Sequence, residues 1–435
     1  MRSTFKLLSV LCLVAVLLAA CGAPATPQTV TIKETVTVKE TQVVEVPAEK
    51  TVIRLSGWAS SPSETALLES LLYRFSVENP DITVKYEPIT GDYRQALLTS
   101  IASGTEPDVF YMDIFWWQEL AKNGVILPID DLGYKRDEFI PSLADAFTYD
   151  GKSYGVPKDF NTLGMFYNKD LFDKAGLEYP TDDWTWDNLK EAAGKLTDLS
   201  DANKPVYGFC TPADPGRFPV FVFQNGGTVM NADYTDTTLD SDAAVQAGDF
   251  YTSFRAEKVG ATPADLGEGW QGTVFGKGQC AMVYEGGWLI PYLRDQFPTT
   301  KYGVVLPPAG PAGEGNLIFT VAWGISANAK NPDAAWKVVD FLTNEASQQT
   351  VLESGFALPS RVSLQDSEYL KNNPNTAEIF NGASNGAVPF FWGAVGSDVN
   401  DQMGKALERV FKENQSVADA LKEASDAIRD AIKKQ

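Results

Sequence analysis

An α/β fold is predicted for the body of this chain, with helices covering both faces of the sheet. Three observations predict it. Short apolar strand patterns alternate with amphipathic helical patterns from residue 51 onward. About 385 of the 435 residues follow the amino-terminal segment, which is too long for one ordinary core and enough for two domains. A hydrophobic share of 44%, with 24 Phe, 16 Tyr and 10 Trp, is ample to fill such cores.

The elements follow in order. Thr51–Ser56 alternates as a strand, and Ser61-Pro62-Ser63 supplies helix-start chemistry before Leu67, Leu68, Leu71, Leu72 and Phe75, which share one face. Asn79-Pro80 stops that helix, and Ile82–Tyr86 is a second strand. A helix over Tyr93–Ala102 breaks at Gly104 and leads into a buried strand, Pro107–Met112. Further strands are expected at Met165–Tyr167, Val206–Cys210, Cys280–Tyr284, Tyr302–Leu306 and Thr320–Ile325. Helices are expected over 187–199 and 242–257, and from Pro332, a first-turn proline, to Leu342. Two more helices, broken near Asn414, fill Asp401–Lys434.

The first fifty residues carry a different message. Arg2 and Lys6 precede an apolar run, Leu7–Leu18, that ends in Leu18-Ala19-Ala20-Cys21. A basic start, a short apolar stretch and small residues before a cut describe a secretory signal over 1–20. The run is too short to span a bilayer, which takes about 20 residues. Leu-Ala-Ala-Cys resembles a bacterial lipobox, which implies lipid on the Cys21 thiol and cleavage just before it. Residues 21–50, with the near-duplicate Thr29–Glu34 and Thr35–Glu40 between prolines, read as a tether from lipid to domain.

Composition excludes several chemistries. A formal charge of −21 repels phosphate backbones, so nucleic acid is not an expected partner. The sequence contains no histidine, which removes Ser-His-Asp and Cys-His pairs, HExxH zinc sites and the usual neutral-pH proton shuttle. Gly272-Thr-Val-Phe-Gly276-Lys277-Gly278 has only three residues between Gly272 and Gly276 and no Ser or Thr after Lys277, so it is not a Walker loop. No cofactor and no metal are expected. Of four cysteines, Cys12 leaves with the signal and Cys21 is the anchor. Cys210 and Cys280 either pair as a disulfide or sit as two small buried hydrophobes.

Four ordered stretches carry a resemblance. They are Phe75–Pro80 with Ile82–Val84, an "F-x-x-x-N-P-x-I-x-V" pattern; Leu97–Gly104 running into Pro107-Asp108-Val109; Tyr167-Asn-Lys-Asp-Leu-Phe-Asp-Lys-Ala-Gly176 followed by Trp186; and Gly276–Trp288 with the Ala334–Leu342 helix and Leu358-Pro359-Ser360-Arg361. Together they resemble the family 1 extracellular solute-binding proteins of ABC importers, the group that includes maltodextrin-binding proteins. The resemblance implies a two-lobed, type II periplasmic-binding-protein fold with a ligand cleft at the hinge. One lobe is then 51–160 plus 306–368, the other 161–305 plus 369–435, with crossings near Asp159–Thr162 and Val304–Pro307. It implies a monomer that is not an enzyme, works on the outer face of the cell membrane, captures a sugar by hinge closure and passes it to a membrane permease.

Ligands of such sheets sit at the carboxyl ends of strands. A sugar offers hydroxyl edges and apolar C–H faces, so its site needs aromatic faces, carboxylates, amides or arginine. Strand ends supply Trp58, then Asp113 with Trp116 or Trp117, of which helical geometry lets one face the cleft. Phe160-Asn161 lies at the expected hinge; Glu285 with Trp288 follows the Cys280–Tyr284 strand, and Trp323 lies near the returning lobe. Phe390-Phe391-Trp392 precedes the last helices, where maltodextrin-type relatives place a stacking aromatic, and Trp392 is the candidate. Asp113 is either a hydroxyl acceptor or a helix cap, and Arg361 either reaches the cleft or pins its own loop. Trp184, Trp186, Trp270 and Trp336 read as packing. Two rival functions remain open: a receptor for a non-sugar solute such as a polyamine or organophosphate, and a surface glycoside hydrolase, which would need a carboxylate pair that nothing here marks.

Overall fold

The computed structural model describes residues 50–59 and 62–434, all of which fall within one compact unit, Glu49–Gln435. The expected signal, the lipid site at Cys21 and the tether up to residue 49 lie outside the described residues, as does Ser61. Among the described residues no helix is long and apolar enough to cross a membrane.

Among the described residues eleven strands appear in chain order: β1 Thr51–Ser56, β2 Ile82–Tyr86, β3 Val109–Asp113, β4 Thr148–Tyr149, β5 Lys152–Ser153, β6 Val156–Asn168, β7 Tyr207–Cys210, β8 Cys280–Gly286, β9 Tyr302–Val305, β10 Asn316–Ile325 and β11 Ala387–Pro389. Apart from the β4–β5 hairpin they join one sheet, ordered β2-β1-β3-β10-β6-β8-β7, with β11 on β10 and β9 on β6. Parallel neighbours β1, β2 and β3 are linked by the helices Pro62–Glu78 and Tyr93–Ala102, as the strand–helix alternation requires. Asp92 caps the second helix by accepting from the Gln95 amide at 2.9 Å. At the carboxyl end, helices Gly396–Glu413 and Val417–Ile432 meet at Asn414, whose φ of 57° turns the chain.

The chief departure from the sequence reading is β6. Expected as a three-residue strand with a hinge upstream, it runs for 13 residues, twelve of them buried. Its first half pairs antiparallel with β10 through Thr162, and its second half pairs with β8 and β9 from Leu163 on. Polar Lys158, Asp159 and Asn161 interrupt the apolar pattern and conceal the strand. At the change of partner the Asn316 amide spans the gap, accepting from the Leu163 N–H at 3.2 Å and donating to its carbonyl at 2.8 Å. A buried backbone that lost its ladder would otherwise pay the full cost of unpaired polar groups.

β6 also bulges. Asp159 faces Val321 and Pro157 faces Ala322, leaving Lys158 as the extra residue. Pro157 has no amide hydrogen to offer a ladder, so the irregularity falls where pairing is weakest. Gln348 donates to the freed Lys158 carbonyl at 2.5 Å. Gln348 Oε1 in turn accepts from the Ser360 amide at 2.7 Å, and Ser360 Oγ donates to the Pro157 carbonyl at 2.6 Å. The Leu358–Arg361 loop therefore buttresses the bulge from behind.

Cys210 and Cys280 are disulfide-bonded, with Cα atoms 5.9 Å apart. The bridge joins β7 to β8, which ends at the site described next. It closes a 70-residue separation, for which loop entropy assigns about 4 kcal/mol of stabilisation. Replacing both cysteines by alanine should lower the unfolding free energy by about 2–4 kcal/mol in a denaturant titration. An unchanged midpoint and slope would show that the bridge contributes nothing.

Candidate functional site

β3, β6, β8 and β10 converge on one cleft. Its volume is about 280 Å³, and its walls include Trp58, Asp113, Phe115, Lys158, Asp159, Asn161, Trp288, Phe319, Phe356 and Phe390. The bulge accounts for much of the polar wall: with Lys158 as the extra residue, Lys158 and Asp159 both reach the cleft, and Asn161 follows two residues on. Lys158 forms an ion pair with Asp159, and its ammonium lies 4.8 Å from the centre of the Tyr111 ring. Glu64, buried at the foot of the first helix, adds a third carboxylate to the lining.

Asp113 ends β3 and lines the cleft. Burial, and to a smaller degree the nearby charge of Asp159, push its carboxyl up to about 7, against backbone N–H donation from Phe115 and Ile114. Asp113 faces the cavity and is not the cap of the next helix, Trp117–Lys122, whose N-cap is Trp116 with no side-chain cap bond.

Trp288 is held by a buried carboxylate. Glu285, fully buried at the end of β8, accepts from Trp288 Nε1, Trp270 Nε1 and Arg217 Nη2, each at 2.6 Å. Burial works against the Arg217 charge, but Glu285 and Asp214 more than offset it and hold its pKa above the usual arginine value. The Arg217 guanidinium also lies 5.6 Å from the Trp288 ring. Two glycines make the turn fit. A Cβ on Gly286 would come within 2.5 Å of the Trp288 ring, and one on Gly287 within 2.6 Å of Asn161 Oδ1, which accepts the Gly287 amide at 3.1 Å. The Glu285-Gly-Gly-Trp288 turn thus sets the Trp288 indole in the cleft wall with its N–H already satisfied.

Of the residues singled out in the sequence, Trp58, Asp113, Asn161 and Trp288 are brought together in this cleft. The others stand elsewhere. Phe160 points to the opposite side of β6 from Asn161 and packs on Phe380. Glu285 is the support beneath Trp288 rather than part of the lining. Trp116 is buried near Tyr93, and Trp323 is buried against Tyr111, ring centres 4.4 Å apart, where it lines a small adjoining cavity that shares Glu64, Lys158, Asp159 and Phe356 with the cleft. Trp392 is buried beside Phe390, its N–H donated to Asn400 at 2.8 Å. Arg361 donates to the Thr343 carbonyl and to Glu138 and lies over Phe139, so it pins its own loop. Trp186 packs as expected, stacked on Phe250 at 4.1 Å. Sequence reasoning does not single out Phe115, Lys158, Asp159, Phe319 or Phe356 as site residues; it marks the stretch Phe390-Phe391-Trp392, of which Phe390 rather than Trp392 lines the cleft. Period-two alternation applied to residues 157–161 was the one available signal, and it finds Asp159 with Asn161.

Residues 58–349 match the family described as bacterial extracellular solute-binding protein. The maltotriose-binding protein of Pyrococcus abyssi is 28% identical over 329 residues, covering 72% of this chain and 67% of that protein. Among solved structures, the ABC substrate-binding protein Lmo0181 from Listeria monocytogenes, in complex with cycloalternan, is 30% identical with a TM-score of 0.81, covering 88% of this chain and 99% of that one. The GacH receptor of Streptomyces glaucescens, solved unliganded and with acarbose, is 26% identical with a TM-score of 0.79, covering 88% and 99%. These neighbours share the two-lobed α/β architecture built here around β6 and β10. With the match spanning more than half of its length, the chain belongs to the bacterial extracellular solute-binding proteins.

Proposed function

We propose that this protein is the substrate-binding subunit of an ABC importer and that its cleft captures a sugar or oligosaccharide. The observation that carries the reading is the Trp288 face, locked by Glu285 and set opposite carboxylate and amide acceptors. Aromatic faces bury sugar C–H surfaces, and Asp113, Asp159 and Asn161 are suited to hydroxyls. The oligosaccharides bound by similar proteins support the same reading. Three carboxylates against one ammonium in the lining disfavour an organophosphate. A polyamine is the competing ligand, since the same carboxylates and rings would hold it.

The remaining parts of the proposal rest on the sequence and the family. The chain is exported, and lipid on Cys21 with a tether over 21–50 holds it at the outer membrane face near its permease. The lobes are 51–160 plus 306–368 and 161–305 plus 369–435, and they close on ligand about the middle of β6. The ligand is released unchanged, with no catalytic step, so chromatography of a sugar incubated with the protein should return it intact.

A panel of saccharides and polyamines in differential scanning fluorimetry tests the ligand class. A true ligand at 100 times its Kd should stabilise by about 2.7 kcal/mol. A shift with spermidine and none with any saccharide would replace sugar by polyamine. Trp288→Ala should remove most of the shift, and because it leaves buried Glu285 one donor short the unliganded protein should also lose about 1–3 kcal/mol.

Glu285→Gln tests the support separately. The amide keeps the shape but leaves the buried Arg217 charge short of its partner, a change that costs about 3–5 kcal/mol. A variant melting like the parent would show that Glu285 does not hold the turn. The pH response follows from Asp113. Ionisation of its carboxyl is completed only as pH rises through about 7, and the ionised form is the better acceptor of sugar hydroxyls. Affinity should therefore weaken as pH falls below 7, by up to about tenfold per unit, and Asp113→Asn should flatten the profile. A parent protein with constant affinity between pH 5 and 8 would contradict this role.

A further inference from the structure

The cleft already holds a cation, and the chain supplies it. Lys158 is the extra residue of the β6 bulge, and its side chain is only 11% exposed, as is that of its ion-pair partner Asp159. The ammonium lies 4.8 Å from the centre of the buried Tyr111 ring. Trp58 and Trp323 flank that ring, with centres 4.9 and 4.4 Å from it. Glu64 and Asp159 line the cleft together with Lys158, and all three also line the small cavity beside it. Both carboxylates act on the Tyr111 hydroxyl, where their charges add to burial in raising its pKa. Tyr111 is therefore the point around which the two acids and the one ammonium gather.

An aromatic face bordered by carboxylates is the composition that captures an ammonium ligand. Here the ammonium is part of the wall. Its backbone is held in place, because the Lys158 carbonyl accepts from Gln348 at 2.5 Å and Gln348 is fixed in turn by the Ser360 amide at 2.7 Å. Withdrawing the side chain alone would leave Asp159 buried without its cation, which a water-poor site penalises. An incoming amine must either lie beside a like charge or displace Lys158 from Asp159 and the Tyr111 face. A sugar hydroxyl meets no such barrier, since a carboxylate paired with one ammonium keeps further acceptor positions.

We propose that Lys158 is the residue by which this cleft selects neutral ligands over amines. It occupies, from within the chain, the ammonium position that Glu64, Asp159 and Tyr111 would otherwise offer to a polyamine. The inference rests on the reading of the cleft as a sugar site, and it supplies the reason that a lining rich in carboxylates does not make the cleft a polyamine site.

Calorimetric titration with spermidine, putrescine and a panel of saccharides tests it, using the parent protein, Lys158→Met, Lys158→Gln and Lys158→Arg. Methionine keeps the length without the charge, glutamine keeps a donor for Asp159, and arginine keeps the charge. The two neutral variants should bind spermidine at least about tenfold more tightly than the parent, because a like charge has left the site. Lys158→Arg should show no such gain, which separates the cleft from loose attraction to an acidic surface. Neutral variants that fold and bind spermidine no better than the parent, or an equal gain in Lys158→Arg, would overturn the role of Lys158 and leave the sugar reading in place. A parent that binds no saccharide, with spermidine bound only once the charge at 158 is gone, would overturn the sugar reading and leave Lys158 as the barrier to amines. A parent that already binds spermidine more tightly than any saccharide would overturn both, and that measurement needs no variant to fold.

Discussion

One strand has to serve two sets of neighbours, and much of the molecule is arranged to let it. β6 pairs with β10 up to Thr162 and with β8 and β9 from Leu163 on, and twelve of its thirteen residues are buried. Backbone groups at such a change of partner have no water to fall back on. The Asn316 side chain substitutes for the missing strand on both the donor and the acceptor of Leu163. On the other side of the change, the bulge at Lys158 frees a carbonyl, and Gln348 takes it up. The cleft opens beside this repaired region because it is where the sheet divides, and the bulge turns Lys158 and Asp159 into it.

Glu285 does for the aromatic wall what Asn316 does for the backbone. A carboxylate with no exposure is tolerable only when its acceptors are filled, and here an arginine and two indoles fill them. The consequence is positional. Two tryptophans eighteen residues apart are tied to one carboxylate, so their ring planes are set by a buried network rather than by solvent-exposed rotamers. The disulfide on β8 secures the same strand at its other end.

The parts of this architecture that were legible in the sequence are those with strong local patterns. β1, β2 and β8 show up as alternating or continuous apolar runs, and the helix stops at Asn79-Pro80 and Asn414 show up as turn chemistry. β6 was not legible, because Pro157, Lys158, Asp159 and Asn161 break its apolar run and tertiary pairing overrides the local signal. The site suffered from the same error. The sequence alone places Phe160 and Asn161 together at the hinge, whereas neighbours on a strand face opposite ways and only Asn161 reaches the cleft. The strand-end rule found Trp58, Asp113 and Trp288, and a preference for tryptophan then pointed to Trp323 and Trp392, which are buried packing. The rings present instead are phenylalanines from four distant segments, and no short-range pattern connects Phe115, Phe319, Phe356 and Phe390. Glu285 was found by position, but its inward turn depends on Arg217, 68 residues earlier.

The raised pKa of Asp113 bears on how such a cleft discriminates. A carboxyl pushed up to about 7 by burial is one whose charged form the empty site supports poorly. A ligand hydroxyl donated to that oxygen replaces the solvation that burial removed, so part of the binding energy is relief of a cost already present in the unliganded protein. A ligand of the same shape without that hydroxyl would fill the cavity and leave the cost in place. Sites that are built around a hydrogen-bonded hydroxyl reject the analogue lacking it far more strongly than hydrophobic pockets distinguish a methylene. In the proposed sugar site the phenylalanine walls would suit many sugars, and the acids at the strand ends, Asp113 among them, are the groups with which it would select between them.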